Sequence, residues 1–442
     1  MLRRSILMSI LFLDREEELR LLEEEYRRNS SSLVIVYGRR RIGKTTLINR
    51  FLEGKKGVYI YAERIPLQRF LEKVGSNFNA RFASLDEFLE HIFKLKERLI
   101  LAVDEYQRVA RGFSEKLQHY WDLLGQNSKL MTILSGSYVG MMERDITYTG
   151  PLYGRATKIL KITGFNYPIV RDYLGLKERE SITVYSILGG VPYYITLYSK
   201  QHSIIENIRR LFVDLGAPLY REVETILSYE FRDLSRYLLI LEALAKGHQT
   251  LKEISDFIKI ERFKLKKYLL TLERTDIIGK EEIIPKTRIP RYYIKDHMFN
   301  FYMRFLYPNE EQLEIGGKEF VLNEIEKNLS SYIGRQFERI ARETLSWLMG
   351  LKFHRYIEAT TEVDAIATKD KKAILVEAKS GEVDERDIQL LNVKAEEICN
   401  KLNLRLASAF ILTPDTTNHK LGTIRMNDLL NGKTRIELGN RP

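Results

Sequence analysis

The chain has 442 residues, 44% hydrophobic and 30% charged, and 71 Lys+Arg against 60 Asp+Glu give a formal net charge of +11. That composition excludes a disordered, collagenous or coiled-coil chain, and at about 100–200 residues per domain the length predicts two to four domains. A single cysteine, Cys399, excludes an internal disulfide or a cysteine-based zinc site, and the 7 histidines show no metal-ligand spacing, so any metal must be held mainly by carboxylates in a reducing, cytoplasmic compartment.

In chain order, the first element is an apolar run from Ile6 to Leu13, broken only by Ser9 and preceded by Arg3 and Arg4. It opens like a signal peptide, but Asp14, Arg15 and Glu16 follow at once. No small-residue cleavage site is present, and a membrane span needs about 20 apolar residues. The run reads as an extra N-terminal piece or a first buried strand, with Met8 an alternative start. No later stretch is long enough to span a bilayer.

Leu33 to Tyr37 is a continuous apolar, β-branched run, the pattern of a strand buried on both faces. Leu99 to Val103 and Leu130 to Leu134 are two more. Helical patterns lie between them, which predicts a parallel-sheet α/β domain over residues 1–150. Breaks at Gly150-Pro151 and Gly189-Gly190-Val191-Pro192 frame a mainly helical region, 151–234. Residues 235–306 read as three short helices followed by two β-rich runs around Pro285-Lys286-Thr287, the order of a winged helix-turn-helix. In the third helix Leu265, Tyr268, Leu269 and Leu272 have the spacing of a buried stripe. This segment carries a net charge of +6, whereas 307–330 carries −4 and reads as an acidic connector. The last part, 331–442, opens with a helix from Tyr332 to Leu348. Strands follow at Val363 to Thr368 and Ala373 to Glu377, then a helix from Glu385 to Cys399 and a strand from Ala407 to Leu412. It predicts a second, separate α/β domain.

Gly38-Arg39-Arg40-Arg41-Ile42-Gly43-Lys44-Thr45 fits G-x-x-x-x-G-K-[ST] in full, after a strand and before a helix. The glycines let backbone N–H groups turn toward phosphates, and the helix N-terminus adds positive potential. Lys44 is expected to reach the β- and γ-phosphates of ATP and Thr45 to bind Mg²⁺, with Thr46 next to it in the nucleotide site. Asp104-Glu105 ends an apolar strand. In a P-loop fold such an Asp holds Mg²⁺, and the adjacent Glu polarises the attacking water.

Together with Phe12 to Leu19, Val103 to Gln107, Leu134-Ser135-Gly136-Ser137 and Pro151-Leu152-Tyr153-Gly154-Arg155, these motifs resemble the archaeal ATPase family of P-loop proteins, in the STAND group related to AAA+ enzymes. The resemblance covers about Phe12 to Pro192. It implies that Phe12 to Leu19 packs near the adenine and that Ser135 or Ser137 senses the γ-phosphate. It also implies that Gly190-Val191-Pro192 is the Gly-x-Pro element of a helical lid. Arg155 resembles a nucleotide-sensing arginine, acting within the chain or across the interface of a homo-oligomer; the alternative is a structural salt bridge.

Two further groups point to nucleic acid. Arg262, Lys264, Lys266 and Lys267 lie on the third helix of the winged-helix pattern, where a recognition helix presents phosphate-binding side chains to DNA; the alternative is a packing or merely solvated face. Glu362-Val363-Asp364 and Val376-Glu377-Ala378-Lys379 form the other. Strand alternation puts Glu377 and Lys379 on one face. With Asp364 ending a neighbouring strand, two carboxylates and a lysine would bind Mg²⁺ and position a water for phosphodiester attack. The D-x₁₂-E-x-K arrangement resembles the PD-(D/E)xK nuclease superfamily, although Val363 stands where the name has proline. The resemblance implies that Glu338, on the preceding helix, is a further acidic ligand.

The expected protein is therefore an α/β chain: a P-loop parallel-sheet ATPase domain, a helical lid, a winged helix and a restriction-endonuclease-like domain. Its expected function is an ATP-regulated enzyme on nucleic acid. The rival is a nucleotide-dependent switch or scaffold whose last domain binds DNA or protein without cutting.

Overall fold

The computed structural model describes residues 13–28, 30–109, 112–231, 233–285, 289–358, 360–415, 422–434 and 436. The apolar run Ile6 to Phe12 lies outside them, as do Lys286 and Thr287. The chain divides into two compact units. The first is Met1–Gly164 with Val191–Thr196 and Ser228–Arg232; the second is Phe165–Gly190, Leu197–Leu227 and Asp233–Pro442. Among the described residues no helix is long and apolar enough to cross a membrane.

The first unit is built on five parallel strands, β1 (Ser32–Tyr37), β2 (Gly57–Tyr61), β3 (Leu99–Asp104), β4 (Leu130–Gly136) and β5 (Lys158–Lys161), in the order β2-β3-β4-β1-β5. Strands β1, β3 and β4 are buried at every position, as their unbroken apolar runs require of a sheet covered on both faces. Leu33, Ile35 and Tyr37 share a core with Phe70, Val74, Phe88, Ile92 and Phe113 from the helices Leu67–Phe78, Leu85–Phe93 and Phe113–Leu124. The two edge strands have no counterpart in the sequence pattern. In β2 only Ile60 is buried and in β5 only Leu160, so neither shows an apolar run.

Region 151–234 does not form one lid. Residues 151–164, including β5, belong to the first unit, as do 191–196 and 228–232; the remaining helices belong to the second. In the second unit the helices Leu234–Ala245, Leu251–Ile258 and Arg262–Arg274 precede an antiparallel pair, β6 (Ile278–Glu281) and β8 (Arg291–Ile294). Leu265, Leu269 and Leu272 are buried, while Arg262, Lys264, Lys266 and Lys267 are exposed. Between β6 and β8, the short β7 (Ile283–Ile284) pairs with a different sheet. That sheet has six strands, completed by β9 (His354–Glu358), β10 (Thr361–Lys369), β11 (Lys372–Ala378), β12 (Arg405–Thr413) and β13 (Thr423–Arg425), in the order β13-β12-β11-β10-β9-β7. It is mixed: β9-β10 and β10-β11 are antiparallel, β11-β12 and β12-β13 parallel. The helix Glu385–Lys401 supplies the crossover from β11 to β12.

The boundary at 330/331 is corrected. A single helix, Lys318–Met349, runs through it with Val321, Leu322 and Ile325 already buried. The acidic charge of 307–330 marks a solvated helical face, and the apolar stripe continues beneath it. The sheet likewise draws β7 from residues before 306, so 331–442 is not a self-contained body.

One close approach governs the second unit's entry. Phe165 N donates to the Gly190 carbonyl at 2.8 Å, and a Cβ on Gly190 would lie 1.9 Å from the Phe165 oxygen. Gly190→Ala should therefore cost about 1–3 kcal/mol through backbone displacement. A denaturant midpoint equal to that of the unaltered protein would refute this.

Candidate functional site

The site of the first unit forms at the carboxyl ends of the parallel strands, where open α/β sheets place ligands. After β1 the chain turns through 38–43 into the helix Lys44–Leu52. Gly43 caps that helix at φ 94, in the left-handed region where glycine alone carries no side-chain penalty. The helix start leaves N–H groups and positive potential facing outward. A cleft of about 350 Å³ opens here, walled by Arg40 to Thr46 of the loop and by Tyr61, Glu105, Arg108, Pro192 and Tyr193.

Lys44 is buried, and its ammonium donates to the carbonyls of Gly38 at 2.8 Å and Arg39 at 2.9 Å. Burial pushes its pKa down to about 8, against the pull of Glu105 and Asp104. A bound polyphosphate would return the counter-charge that burial removes. Thr45 Oγ1 donates to Asp104 Oδ2 at 2.6 Å, and the Tyr59 hydroxyl donates to the same oxygen at 2.8 Å. Burial, followed by the Asp104 charge, keeps the Tyr59 hydroxyl protonated. The hydroxyl and carboxylate expected to take Mg²⁺ thus already touch, and both are hard oxygen donors that fit this ion. Glu105 sits at φ 55, a left-handed conformation unusual for a side-chain-bearing residue. Its carboxylate accepts from Ser137 Oγ at 2.5 Å and from Gln107 Nε2 at 2.6 Å. Two donors therefore aim a strained acid into the cleft.

The other expected residues divide. Arg15 donates to the Ile42 carbonyl at 3.5 Å and to Thr163 O at 2.6 Å, so the segment after Leu13 borders the loop; Phe12 lies outside the described residues. Pro192 lies on the cleft wall, its Cγ 3.9 Å from where a Cβ on Gly43 would stand, and Arg41 lies 4.1 Å above the ring of Tyr193. Ser135 is buried in β4 beside Asp104 and its Oγ has no partner among the described residues. Of the two candidate sensor serines, Ser137 is the one that touches Glu105. Arg155 lies outside the cleft wall; its Nε and Nη2 engage the two oxygens of Asp122 at 2.8 and 2.6 Å, the geometry of a structural salt bridge.

Sequence reasoning missed three residues. Tyr59 belongs to no motif, and Gln107 closes the segment Val103 to Gln107, but the resemblance assigns it no role there. Glu230 comes from 125 residues beyond the acidic pair, carries no local signal, and accepts from Val139 N at 3.4 Å. Burial pushes its carboxyl up to about 7 despite the opposing pull of Lys44, Arg40 and Arg39. Next to it, Arg40 stacks 3.2 Å above the ring of Tyr229.

In the second unit β10 and β11 carry Asp364 and Glu377 side by side, and Asp364 Oδ2 accepts from Ala378 N at 2.9 Å. Burial and the Asp364 charge push Glu377 up to about 7, and they do the same to Glu338. The lysine of the E-x-K pattern does not join them. Lys379 donates to Asp387 at 2.5 Å, and Lys394 takes its place on Glu377 at 2.9 Å. Asp387 and Lys394 are seven positions apart, on one face of the helix Glu385–Lys401. That face engages both Glu377 and Lys379, the latter one residue beyond the end of β11. Among the described residues no group of three His, Cys, Asp or Glu is arranged to hold a metal ion. The carboxylates Glu338, Asp364 and Glu377 therefore do not form a finished metal centre.

Comparison with known proteins gives this geometry a family. Residues 12–197 match the model of an ATPase domain found predominantly in Archaea, and residues 302–391 match a family of archaeal and bacterial proteins of unknown function. An uncharacterized protein of Methanocaldococcus jannaschii is 31% identical over 397 residues, 86% of this chain and 90% of its own. An uncharacterized ATP-binding protein of Pyrococcus horikoshii is 24% identical over 276 residues, 50% of this chain and 85% of its own. Among solved structures, a Walker-type ATPase of Pyrococcus abyssi aligns with 66% of this chain and 96% of its own, at 23% identity and a TM-score of 0.48. With its loop, acidic strand end and near full-length relative all in agreement, this chain belongs to the archaeal family that joins an ATPase domain to a C-terminal domain of unknown function.

Proposed function

We propose that the protein binds and hydrolyses ATP in the first unit as a STAND-type nucleotide switch, and that its second unit binds nucleic acid. The observation that carries the ATP reading is the cleft in which Lys44, the Thr45–Asp104 pair and a doubly held Glu105 converge. Loop N–H groups and Lys44 bind the phosphates. Thr45 and Asp104 would hold Mg²⁺, which offsets charge on the β- and γ-phosphates. Glu105 accepts a hydrogen bond from the attacking water and orients it, while Ser137 and Gln107 keep its carboxylate in place. The chain offers a route for coupling. Val191–Thr196, with Pro192 and Tyr193 on the cleft wall, is first-unit backbone flanked on both sides by second-unit backbone. A nucleotide that shifts this segment pulls on both flanks. The buried free thiol of Cys399 agrees with a cytoplasmic setting.

The DNA reading rests on the winged-helix order of 235–306 and the exposed Arg262, Lys264, Lys266 and Lys267. A second reading, a metal-dependent nuclease in the C-terminal domain, is favoured by one observation: Glu338 and Glu377 are both pushed up to about 7, in part by Asp364, so the cluster lacks positive charge. Lys394 supplies some of it already, which favours the binding role over cleavage.

Three outcomes test these readings. Lys44→Ala should abolish ATP binding, whereas Glu105→Gln should bind ATP yet hydrolyse it about 10²–10⁴-fold more slowly; hydrolysis at the unaltered rate in both would remove the assignment. Joint replacement of Arg262, Lys264 and Lys267 by Ala should weaken duplex DNA binding and flatten its salt dependence by about 0.9 per lost phosphate contact; an unchanged slope would make this helix a packing face. For the acidic cluster the sign is set by raised carboxyl pKa values: ionisation opposes folding, so this contribution to stability falls as pH rises from about 4.5 to about 7. In the full chain carrying Lys44→Ala and Thr45→Ala, Mn²⁺ should then raise the melting temperature above pH 7, and Asp364→Ala should cancel the rise. Stabilisation with plasmid nicking supports the nuclease, stabilisation without nicking a binding module, and no stabilisation removes the metal site.

A further inference from the structure

The second unit contains a cleft of about 730 Å³ whose lining includes only Glu338 of the motif residues named above. One wall is a face of the helix Lys318–Met349. Positions 335, 339 and 342 follow the i, i+4, i+7 spacing that normally carries apolar side chains toward a neighbour. Here all three are arginine and all line the cleft. Two are anchored. Arg339 is buried and donates to the Ile294 carbonyl at 2.7 Å, and Arg342 donates to the Asp364 carbonyl at 2.6 Å and to Glu281 at 3.2 Å.

The charges of the cleft do not cancel. Its carboxylates are engaged by cations: Glu281 by Arg342 and Arg355, Glu282 by Lys352, and Glu343 by Arg339. Glu338 feels the charges of Arg355 and Arg342 as well as that of Asp364. Arg304 and Arg335 line the same cleft, are exposed, and have no carboxylate partner among the described residues. The remainder of the lining suits a base. Trp347 is 52% exposed on the cleft wall, an uncommon position for so large a ring. Asn300 and Gln336 present amides 3.4 Å apart, with donors and acceptors for base edges. From Arg335 to Trp347 the helix rises about 18 Å, a span of several nucleotides. Free guanidinium groups, an exposed indole and amides in a concave surface are the elements by which proteins hold unpaired strands.

We propose that this cleft binds a single strand of nucleic acid, with Arg304 and Arg335 on its phosphates and Trp347 stacked on a base. The proposal rests on reading the second unit as a nucleic-acid binder, but it moves the single-strand site away from the basic helix Arg262–Arg274.

The test uses full-length protein carrying Lys44→Ala, so that the P-loop does not capture the probes, and follows the anisotropy of a labelled 20-nucleotide oligothymidylate. Arg304→Ala with Arg335→Ala should weaken binding at least tenfold and lower the salt slope by about 1.4, at about 0.7 per phosphate on single strands. Trp347→Ala should weaken binding about 5–100-fold with the slope unchanged, as expected for loss of stacking. Thermal melts serve as the control for folding, since all three side chains are exposed. Binding unaltered in both variants overturns the proposal. If the joint replacement of Arg262, Lys264 and Lys267 then removes binding, the nucleic-acid reading survives and the site is the basic helix. If the parent protein binds neither this strand nor a duplex, the broader reading falls with it. Two probes separate other sources of the same chemistry. A duplex bound more tightly than the strand through these residues, or AMP displacing the strand at equal affinity, would each overturn the single-strand assignment.

Discussion

The hydrogen bond of 2.6 Å from Thr45 to Asp104 is the contact on which the first unit's site depends. It links the helix after β1 to the end of β3, and in the sheet β4 lies between these two strands. The bond is possible only because three buried strands end together: Tyr37 pairs with Gly136, and Asp104 pairs with Ser135. Moving any one strand by a residue would exchange its two faces and separate the hydroxyl from the carboxylate. The fully buried apolar runs of β1, β3 and β4 hold this register, so the core sets the accuracy of the site.

Around that bond the molecule carries unfavourable features that pair into a function. Lys44 is an ammonium taken out of water and supported mostly by carbonyl groups. Glu105 adopts a backbone conformation that costs about 1–3 kcal/mol elsewhere in proteins and is held there by Ser137 and Gln107. A neutral-leaning Glu230 lies within reach of the charges of Lys44, Arg40 and Arg39. An entering anion relieves the first of these by restoring counter-charge to Lys44, while the second keeps the Glu105 carboxylate fixed at the cleft wall.

The second unit handles charge differently. Its candidate acid and base do not meet each other; one helix face neutralises both, through Lys394 and Asp387. The carboxylates left behind repel, and two of them are pushed toward neutrality. The surplus of positive charge lies on the cleft side of the helix Lys318–Met349, where arginines occupy positions that a packed helix gives to leucine. A short motif on β11 thus says less about this unit than a helix face whose residues are spread over a dozen positions.

Sequence alone determined the parts that local physics dictates. Three unbroken apolar runs can only be strands covered on both faces, and a glycine-framed loop between such a strand and a helix is a phosphate cradle. The presence of β10, β11 and the helix Glu385–Lys401 followed from alternation and helical spacing, with their ends placed to within two residues. Edge strands β2 and β5 stayed hidden because half-exposed segments of four or five residues have no periodicity to read. The boundary at 331 was misplaced because charge composition changes along a helix without ending it. Tertiary structure decided everything that depends on which distant groups meet: Tyr59 and Thr45 on one oxygen of Asp104, Arg155 on Asp122, Lys394 rather than Lys379 on Glu377, and the arginine-lined cleft. The reason is range. Backbone preference and hydrophobic period act over a few residues, whereas the partner of a buried charge is whichever group the folded core brings within 3 Å of it.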